Sequence, residues 1–338
     1  MKKILATGGT GYIGSHTVVE LIQAGYEVEI IDNLFNSKAT VIDKIEKITG
    51  VRPKFYEADL LDQEKLNQIF AEAKYDAVLH FAGLKAVGES VEKPLDYYRN
   101  NIMSTVNLLE VMRKYGTHEF IFSSSATVYG EQNQPECIET METGRSITNP
   151  YGRTKYFIEE IIKDYAVADK DFKAITLRYF NPIGAHSSGL IGEDPNGIPN
   201  NLMPIIMRVS DGRIPELQVF GDDYPTADGT CRRDYIHVVD LAKGHVAALE
   251  HMENGVQIFN LGTGQPSSVK EMIKAFNEAS GKELPYKIVG RRAGDLAEMW
   301  ANADKANEVL GWKAELTIAD AMRDTINYLN HEKEEYGK

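Results

Sequence analysis

The segment NPYGRTK places a tyrosine and a lysine, Tyr151 and Lys155, four positions apart and directly after Pro150. Proline fits the first turn of a helix, where its missing N–H would have no partner, so the segment predicts a helix that begins near residue 150. Residues four apart share one face of a helix. A close positive charge favours a phenolate and lowers its pKa by about 1–3 units. The pair is therefore a candidate acid/base, although Tyr-x-x-x-Lys also occurs by chance on exposed helices.

A second chemical signature is the glycine-rich stretch ATGGTGYIGSH, which follows one predicted strand and opens a predicted helix. Gly9, Gly11 and Gly14 match G-x-G-x-x-G, and Gly8 extends the match to G-x-x-G-x-x-G. Such glycines allow a tight turn and close approach of the backbone to a pyrophosphate at a helix N-terminus. Asp32 ends the second predicted strand, where an acid bonds the ribose 2′-hydroxyl. Because Asp32 would repel a 2′-phosphate and no arginine lies nearby, the pattern predicts NAD rather than NADP.

Further candidates follow the later strands of the same half. Asp59 follows the third strand and HFAGLK (80–85) the fourth, where the adenine and pyrophosphate are expected. A helix N-cap is an equally simple role for Asp59. The fifth strand ends in hydroxyls, SSSATVYG (123–130), and Ser125 is expected to hold the reacting hydroxyl or share its proton. Beside a nicotinamide, two cations would lower the pKa of Tyr151 by about 3 units.

Short β-branched runs alternate with helical patterns through the first half of the chain. Strands are predicted at 3–8, 27–32, 53–58, 76–82, 119–125 and 173–180, and helices at 13–24, 38–49, 62–73, 94–115 and 150–167. This alternation predicts an α/β fold with a doubly wound parallel sheet, the Rossmann fold. Proline, glycine and asparagine gather at 181–201. The prediction is an NAD-binding domain over 1–180, with returning segments near 234–264, and a smaller mixed α/β substrate lobe over 181–338.

Composition narrows the functional classes. A net charge of −13 argues against a nucleic-acid surface, which normally needs a basic stripe. The two cysteines form no CxxC pair and the eight histidines are scattered, so neither a disulfide framework nor a metal site is predicted. With no apolar run of about 18 residues and no complete signal-peptide core, no membrane partner is expected. A cytoplasmic protein fits best.

Seven motifs together resemble the extended short-chain dehydrogenase/reductase family, and within it the bacterial UDP-galactose 4-epimerases. They are TGGTGYIG, HFAGLKAVGES, SSSATVYG, NPYGRTK, RYFNPIGAH, GIPNNLMP and RDYIHVVDLA. Matching segments run from residue 3 to about residue 312. The resemblance implies a tightly held NAD, a UDP-hexose substrate and inversion at sugar C4 through a 4-keto sugar, with no net oxidation and a place in galactose metabolism.

Carried over to this sequence, the resemblance implies that Tyr151 removes the proton from the sugar O4 and that Lys155 bonds the nicotinamide ribose. It implies the cofactor-binding residues Gly8, Gly11, Tyr12, Ile13, Gly14, Asp32, Asn33, Asn36, Ser37, Asp59, Leu60, Phe81, Ala82, Gly83, Lys85, Asn100, Ser123, Tyr151, Lys155, Tyr179 and Phe180. It implies the substrate-binding residues Ser125, Tyr151, Asn181, Asn201, Leu202, Gln218, Phe220, Arg233, Arg292, Asp295 and Met299.

The substrate residues have expected roles. Arg233 and Arg292 are candidate ligands of the diphosphate, because a guanidinium matches phosphate oxygens at two points. The resemblance assigns Phe220 to the uracil and Asp295 to the ribose. Simpler alternatives stay open: Arg233 could form a solvated pair with Arg232, and Asp295 could simply bond Arg292.

Met299 departs from the resemblance, since many bacterial relatives carry a tyrosine there and those that accept N-acetylated sugars carry a smaller residue. Methionine is flexible and adaptable. UDP-N-acetylglucosamine is therefore a candidate second substrate beside UDP-galactose and UDP-glucose.

The resemblance also implies a homodimer formed through the helices near 94–115 and 150–167. Ile102, Val106 and Leu109 share one side of the first of these helices and could pack inside the fold or against a partner. Among rival functions, a nucleotide-sugar 4,6-dehydratase is disfavoured because SSATV contains no carboxylate. A non-catalytic NAD sensor would commonly lack the tyrosine or the lysine, and a net dehydrogenase would release NADH.

Overall fold

A computed structural model describes residues 1–196, 199, 201–292 and 294–336. Its strands are β1 Lys3–Thr7, β2 Glu27–Asp32, β3 Lys54–Glu57, β4 Ala77–His80, β5 Glu119–Ser125, β6 Glu136–Cys137, β7 Lys173–Tyr179, β8 Asn181–Ile183, β9 Leu217–Phe220, β10 Arg232–His237, β11 Gly255–Leu261, β12 Pro266–Ser268, β13 Tyr286–Val289 and β14 Glu298–Ala301. Its helices are α1 Tyr12–Gln23, α2 Thr40–Thr49, α3 Gln63–Glu72, α4 Val87–Glu92, α5 Pro94–Tyr115, α6 Pro150–Ala168, α7 Leu202–Ser210, α8 Val238–Glu250, α9 Val269–Ser280, α10 Asp304–Leu310 and α11 Ile318–Tyr336, with a 3₁₀ turn at Ala126–Tyr129.

The main sheet has seven parallel strands in the order β11-β7-β5-β4-β1-β2-β3. The chain runs outward from β1 through β2 and β3, then returns to β4 on the other side of β1. In a doubly wound sheet, a ligand binds where this reversal leaves a crevice at the carboxyl ends of the strands. The predicted fold class is confirmed.

Both faces of the main sheet are covered, which explains the apolar strands. Ile4 and Ala6 on β1 belong to one core cluster with residues of α1, α2 and α8. Leu5, between them, belongs to a second cluster with residues of α3, α5 and α6. Successive side chains of a strand point to opposite faces, so each face of β1 is buried under its own helical layer.

The six predicted strands and five predicted helices are present, and their ends differ from the prediction by at most two residues. Helix α4 was not predicted. It is separated from α5 at Lys93, whose φ is −126° and ψ is 55°. Since a residue before proline is driven away from the helical region, Pro94 ends α4 and at the same time begins α5.

A smaller set of strands covers the carboxyl edge. One sheet has the order β12-β10-β14-β6, with β8 also paired to β10, and β9 pairs with β13. Strand β6 from the first half pairs with β14, whereas β11 from the second half pairs with β7. The division into domains at residue 180 stays a prediction. Within the described residues, no helix is both long and apolar enough to cross a membrane.

Candidate active site

The turn between β1 and α1 fits a dinucleotide pyrophosphate. Gly8 has φ +70°, and a Cβ there would lie 2.6 Å from the Ala82 nitrogen. A Cβ on Gly14 would lie 2.2 Å from the Gly8 carbonyl oxygen. Gly11 begins α1 without a side-chain cap, and a Cβ there would meet only the Gly8 carbonyl within 4 Å. The first-turn N–H groups therefore remain open as donors to phosphate oxygens.

Asp32 lies at the carboxyl end of β2 and is 9% exposed. Its carboxylate accepts hydrogen bonds from the backbone N–H of Thr10 at 3.2 Å and of Leu34 at 2.9 Å, and from the Ser37 hydroxyl at 3.2 Å. A carboxylate has about four acceptor positions, so these bonds leave capacity for a ribose hydroxyl. Asp32 thus joins the glycine turn to the 33–37 loop where the adenosine half of NAD fits.

The helix-cap alternative for Asp59 is wrong. Helix α3 is capped by Asp62, whose side chain accepts from the Lys65 N–H at 3.0 Å. Asp59 instead accepts from the Leu61 N–H at 2.8 Å and from the Asn33 side chain at 3.0 Å. This pairing places Asp59 and Asn33 together at the carboxyl edge. Asn36 accepts a hydrogen bond from the Asn196 N–H at 2.8 Å on the same side.

The loop after β4 is held by a residue that the sequence did not single out. Asn101 on α5 accepts from the Leu84 N–H at 2.8 Å and donates to the Leu84 carbonyl at 3.0 Å. Its neighbour Asn100, a predicted cofactor residue, donates to the Asn101 side chain at 3.0 Å. A Cβ on Gly83 would lie 3.2 Å from the Asn101 oxygen. Asn101 therefore fixes the backbone over which the pyrophosphate is expected to lie.

Several predicted cofactor residues can offer a ligand little beyond their backbone. The Tyr12 hydroxyl donates to the Gly184 carbonyl at 2.7 Å, and the Tyr179 hydroxyl is hydrogen-bonded to His245. Phe81 packs its ring 5.0 Å from that of His245. The others that lie in or beside the interior are Ile13, Leu60, Ala82 and Phe180.

Helix α6 begins as predicted and carries the candidate acid/base pair. Asn149 caps it by accepting from the Gly152 N–H at 2.8 Å, and Pro150 occupies its first turn. Tyr151 is half-buried and is hydrogen-bonded to Ser125 at the end of β5. The Lys155 ammonium is 5.9 Å from the centroid of the Tyr151 ring. The structure therefore brings the three predicted catalytic residues together.

The electrostatics of the pair differ from the prediction. Burial raises the pKa of Tyr151, and the hydrogen bond from Ser125 lowers it only in part. Burial lowers the pKa of Lys155 to about 8, while the charge of Glu159 acts in the opposite direction. The predicted lowering of the Tyr151 pKa, which included the charge of a bound nicotinamide, is therefore not produced by the protein's own groups, because burial penalises the phenolate.

The residues predicted for the uracil end lie on β9 and at positions 292 and 295. Leu217 and Val219 are buried, so their alternation with Gln218 and Phe220 puts the last two on the other, open side of the strand. The Arg292 guanidinium lies 5.5 Å from the Phe220 ring centroid. Arg292 also forms an ion pair with Asp295 at 2.8 Å. The structure therefore contains the bond between Asp295 and Arg292, which was the simpler alternative for Asp295.

The predicted diphosphate and sugar positions lie beside β10. Arg233 pairs in register with Met299 on β14, and its guanidinium donates to the Arg232 carbonyl at 2.9 Å. Arg232 forms its own ion pair with Glu298 at 2.9 Å. Met299 lines a cavity of about 220 Å³ together with Cys137 and residues of the 130–135 loop.

Glu193, another residue that the sequence did not single out, connects the two ends of the site. It is 6% exposed and forms an ion pair with Lys85 at 3.0 Å. It also accepts from the Asn201 side chain at 3.3 Å, directly before Leu202 begins α7. Asn181 is exposed at the start of β8. No local signal distinguishes Glu193, because its partners lie far away in the chain.

The fold and the site define a nucleotide-cofactor enzyme, and the chain belongs to the NAD dependent epimerase/dehydratase family, whose sequence model matches residues 4–262. NAD is its cofactor, and the glycine turn and Asp32 fit that molecule. The chain is 54% identical to the UDP-glucose 4-epimerase of Bacillus subtilis (strain 168) over 324 residues, which is 95% of each chain.

Solved structures agree. The UDP-glucose 4-epimerase from Bifidobacterium longum, in complex with NAD⁺ and UDP, superimposes with a TM-score of 0.95 at 51% identity and covers 98% of each chain. The UDP-Glc/GlcNAc 4-epimerase from Campylobacter jejuni superimposes with a TM-score of 0.85 at 36% identity, covering 98% of this chain and 100% of that one. The resemblance inferred from the motifs is confirmed.

Proposed function

We propose that this protein interconverts UDP-galactose and UDP-glucose by inverting the configuration at sugar C4. The observation that carries the proposal is the Tyr151 phenol hydrogen-bonded to Ser125 at the carboxyl end of β5, beside the dinucleotide crevice. Relatives that are more than half identical over nearly the whole chain are UDP-glucose 4-epimerases. Galactose metabolism and the cytoplasm are the corresponding setting, and both cysteines are free, as in a reducing compartment.

When bound, NAD provides the redox chemistry, which is acceptance of the hydride from C4 and its return to the opposite face of the 4-keto sugar. Tyr151 takes the proton from O4 as the C–H bond breaks, and Ser125 orients that oxygen. Lys155 is fixed by donating to the Ser123 carbonyl at 2.6 Å, from where it bonds the nicotinamide ribose. Tyr151 then gives the proton back to O4, so no net oxidation occurs.

The Tyr151 pKa has to fall for this role, although burial alone raises it. The positive charge of oxidised nicotinamide beside the phenol favours the phenolate in the same way as any close cation. The base is therefore activated by the loaded cofactor rather than by the chain alone. This arrangement makes proton removal depend on the same positive charge that receives the hydride.

The UDP portion is held while the sugar turns. Arg292 and Arg233 bond the diphosphate, and Phe220 with Gln218 forms one wall of the uracil site. Since the Arg292 side chain is 56% exposed, it can turn towards a phosphate at little packing cost. The hexose itself is expected beside Tyr151 and Ser125, where it has to turn to present its other face.

The residue at position 299 supports UDP-N-acetylglucosamine as a second substrate. Met299 lines a cavity, and methionine adapts its shape to a neighbour more readily than a rigid aromatic ring does. The Campylobacter jejuni relative is a UDP-Glc/GlcNAc 4-epimerase. We expect UDP-N-acetylglucosamine to be converted more slowly than UDP-glucose.

A homodimer through α5 and α6 completes the proposal. Leu109 of α5 is buried in the core, whereas Ile102 and Val106 are each half-buried. Leu95 is 76% exposed, Met103 45% and Phe157 on α6 42%. Exposed apolar side chains on two packed helices are typical of a contact with a second copy. Sedimentation that shows only monomer at micromolar concentration would refute it.

The decisive test is to incubate purified protein with UDP-galactose and no added cofactor. UDP-glucose should form without accumulation of NADH, because hydride returns to the sugar. Formation of a 4-keto-6-deoxy sugar would favour the dehydratase rival, and stoichiometric NADH release would favour net dehydrogenation. No reaction of any kind would favour the sensor.

A further inference from the structure

A buried ion pair lies behind the catalytic helix and has no part in the mechanism above. Glu159 on α6 and Arg178 on β7 are each 1% exposed. Arg178 donates through Nε to Oε1 of Glu159 at 3.0 Å and through Nη2 to Oε2 at 2.7 Å. The Ser124 hydroxyl donates to Oε1 at 2.5 Å. Two well-packed apolar residues are often as stable as such a pair or more so, so stability alone does not explain it.

The position of Glu159 on α6 indicates how it supports the active site. It lies four residues after Lys155 and eight after Tyr151, so the three share one face of α6. Each bonds a different residue of the serine run that ends β5: Tyr151 bonds Ser125, and Lys155 donates to the Ser123 carbonyl. Glu159 accepts a hydrogen bond from the hydroxyl of Ser124, the middle serine. These three residues thereby fix the helix to the strand at three consecutive serine positions.

Glu159 also sets the charge around Lys155. Burial lowers the pKa of Lys155 to about 8, and Glu159 is the described carboxylate that opposes this change. From β4, His80 faces the ammonium but is neutral, because burial lowers its pKa to about 3. From β7, Arg178 is bonded to Glu159, and of this pair it is Glu159 that changes the pKa of Lys155. Tyr151 on the same helix has a pKa raised by burial.

We propose that Glu159, bonded by Arg178 and Ser124, is a positioning residue of the active site. It fixes the placement of α6 on β5 and keeps the Lys155 ammonium charged beside Tyr151. The kinetic part of this proposal rests on the proposed epimerase function. Glu159 itself contacts neither the sugar nor the nicotinamide.

The primary test compares Glu159→Gln with Glu160→Gln, whose side chain is 44% exposed on the same helix. Glu159→Gln should lower kcat about fivefold at pH 8 and move the alkaline limb of the kcat profile about one unit to lower pH. The KM for UDP-galactose should stay near wild type, since Arg292 and Phe220 are untouched. Glu160→Gln should behave as wild type. An unshifted alkaline limb in Glu159→Gln would overturn the proposal.

The double variant Glu159→Gln with Arg178→Met separates positioning from folding. Removing both charges does not leave Arg178 buried without its partner, so thermal stability should recover relative to Glu159→Gln. The alkaline limb should nevertheless stay shifted, because the carboxylate is still missing. A double variant with both wild-type stability and a wild-type pH profile would show that the ion pair is only structural. This variant also decides the matter if Glu159→Gln alone fails to fold.

A readout without turnover distinguishes this proposal from the proposed function. The side-chain NMR resonance of Lys155 can be titrated in wild type and in the double variant, and its midpoint should be lower in the variant. An equal midpoint would overturn the role of Glu159 even in an active enzyme. A lower midpoint in a protein that does not epimerise would support Glu159 and reject the epimerase function.

Discussion

The hydride end and the UDP end of the site are built in different ways. Around Tyr151, the polar groups are mostly buried and bonded to partners on strands of the main sheet. Around Arg292, the guanidinium is 56% exposed and is paired with Asp295, three residues away in the chain. A group that moves a proton needs a fixed distance, whereas a group that holds a flexible nucleotide can adjust on binding. Substitutions at the two ends should therefore separate kcat from KM.

The largest expected effect is that of Tyr151→Phe, which removes the acid/base oxygen and keeps the ring. We expect kcat to fall by about 10²–10⁴-fold, the usual contribution of a positioned acid/base, with NAD content and melting temperature unchanged. Epimerisation rates and the absorbance of the bound cofactor check this. A decrease of less than tenfold would show that Tyr151 is not the catalytic acid/base.

The next effect concerns pH and the ammonium of Lys155. Its pKa is about 8, so the group is charged below that pH and neutral above it. Activity that depends on the positive charge should be present below about pH 8 and decline as the pH rises through that value. The kcat profile of wild type should show this alkaline limb, and Lys155→Met should lack it. A wild-type rate that keeps rising well above pH 8 would contradict the assignment.

At the UDP end, Arg292→Met should raise KM and spare kcat. Loss of a hydrogen bond to a charged group costs about 1.5–3 kcal/mol, which is roughly a tenfold or larger change in affinity. Arg291→Met is the matched control, because Arg291 bonds Asp223 and lies 4.1 Å over the Tyr224 ring. Initial rates over a range of UDP-galactose concentrations would check this. A fall in kcat with unchanged KM would contradict the proposed difference between the UDP end and the hydride end.

Asp295→Asn sharpens the same contrast with a smaller effect. If Asp295 bonds the uridine ribose, as the resemblance implies, its loss should raise the dissociation constant for UDP by a few fold, since one hydrogen bond is worth about 0.5–1.5 kcal/mol. We expect this rise when UDP is titrated into the protein. If binding instead becomes tighter, Asp295 serves only to hold Arg292 back from the phosphates.

The smallest effect is expected from Met299→Tyr. A rigid ring should narrow the cavity beside β14 and lower the rate with UDP-N-acetylglucosamine, while the rate with UDP-galactose changes by no more than a few fold. Parallel assays of the two sugars give the ratio directly. Equal loss with both substrates would show that Met299 does not select for sugar size.

Local sequence signals predicted the parts of the fold that are locally determined. The glycine turn and the Asn149–Pro150 start of α6 depend on residues adjacent in the chain, and both are found at the predicted positions. Helix α4 was missed because it is short and lies directly against the proline that begins α5.

The supporting residues of the site depend on tertiary packing and could not be read from the sequence. Asn101, Glu193 and Arg178 bond partners between 8 and 108 positions away. Burial raises the pKa of Tyr151, an effect that the sequence prediction for the NAD-bound site did not include. Neighbouring charges are visible in a sequence, but the depth of burial that outweighs them is not.

The central claim is that one hydride leaves C4 and returns to the same carbon from the other side. UDP-galactose deuterated at C4, given to purified protein without added cofactor, tests it directly by mass and NMR analysis of the product. The UDP-glucose formed should retain the deuterium at C4. Product with hydrogen from water at C4, or deuterium recovered in released NADH, would contradict it.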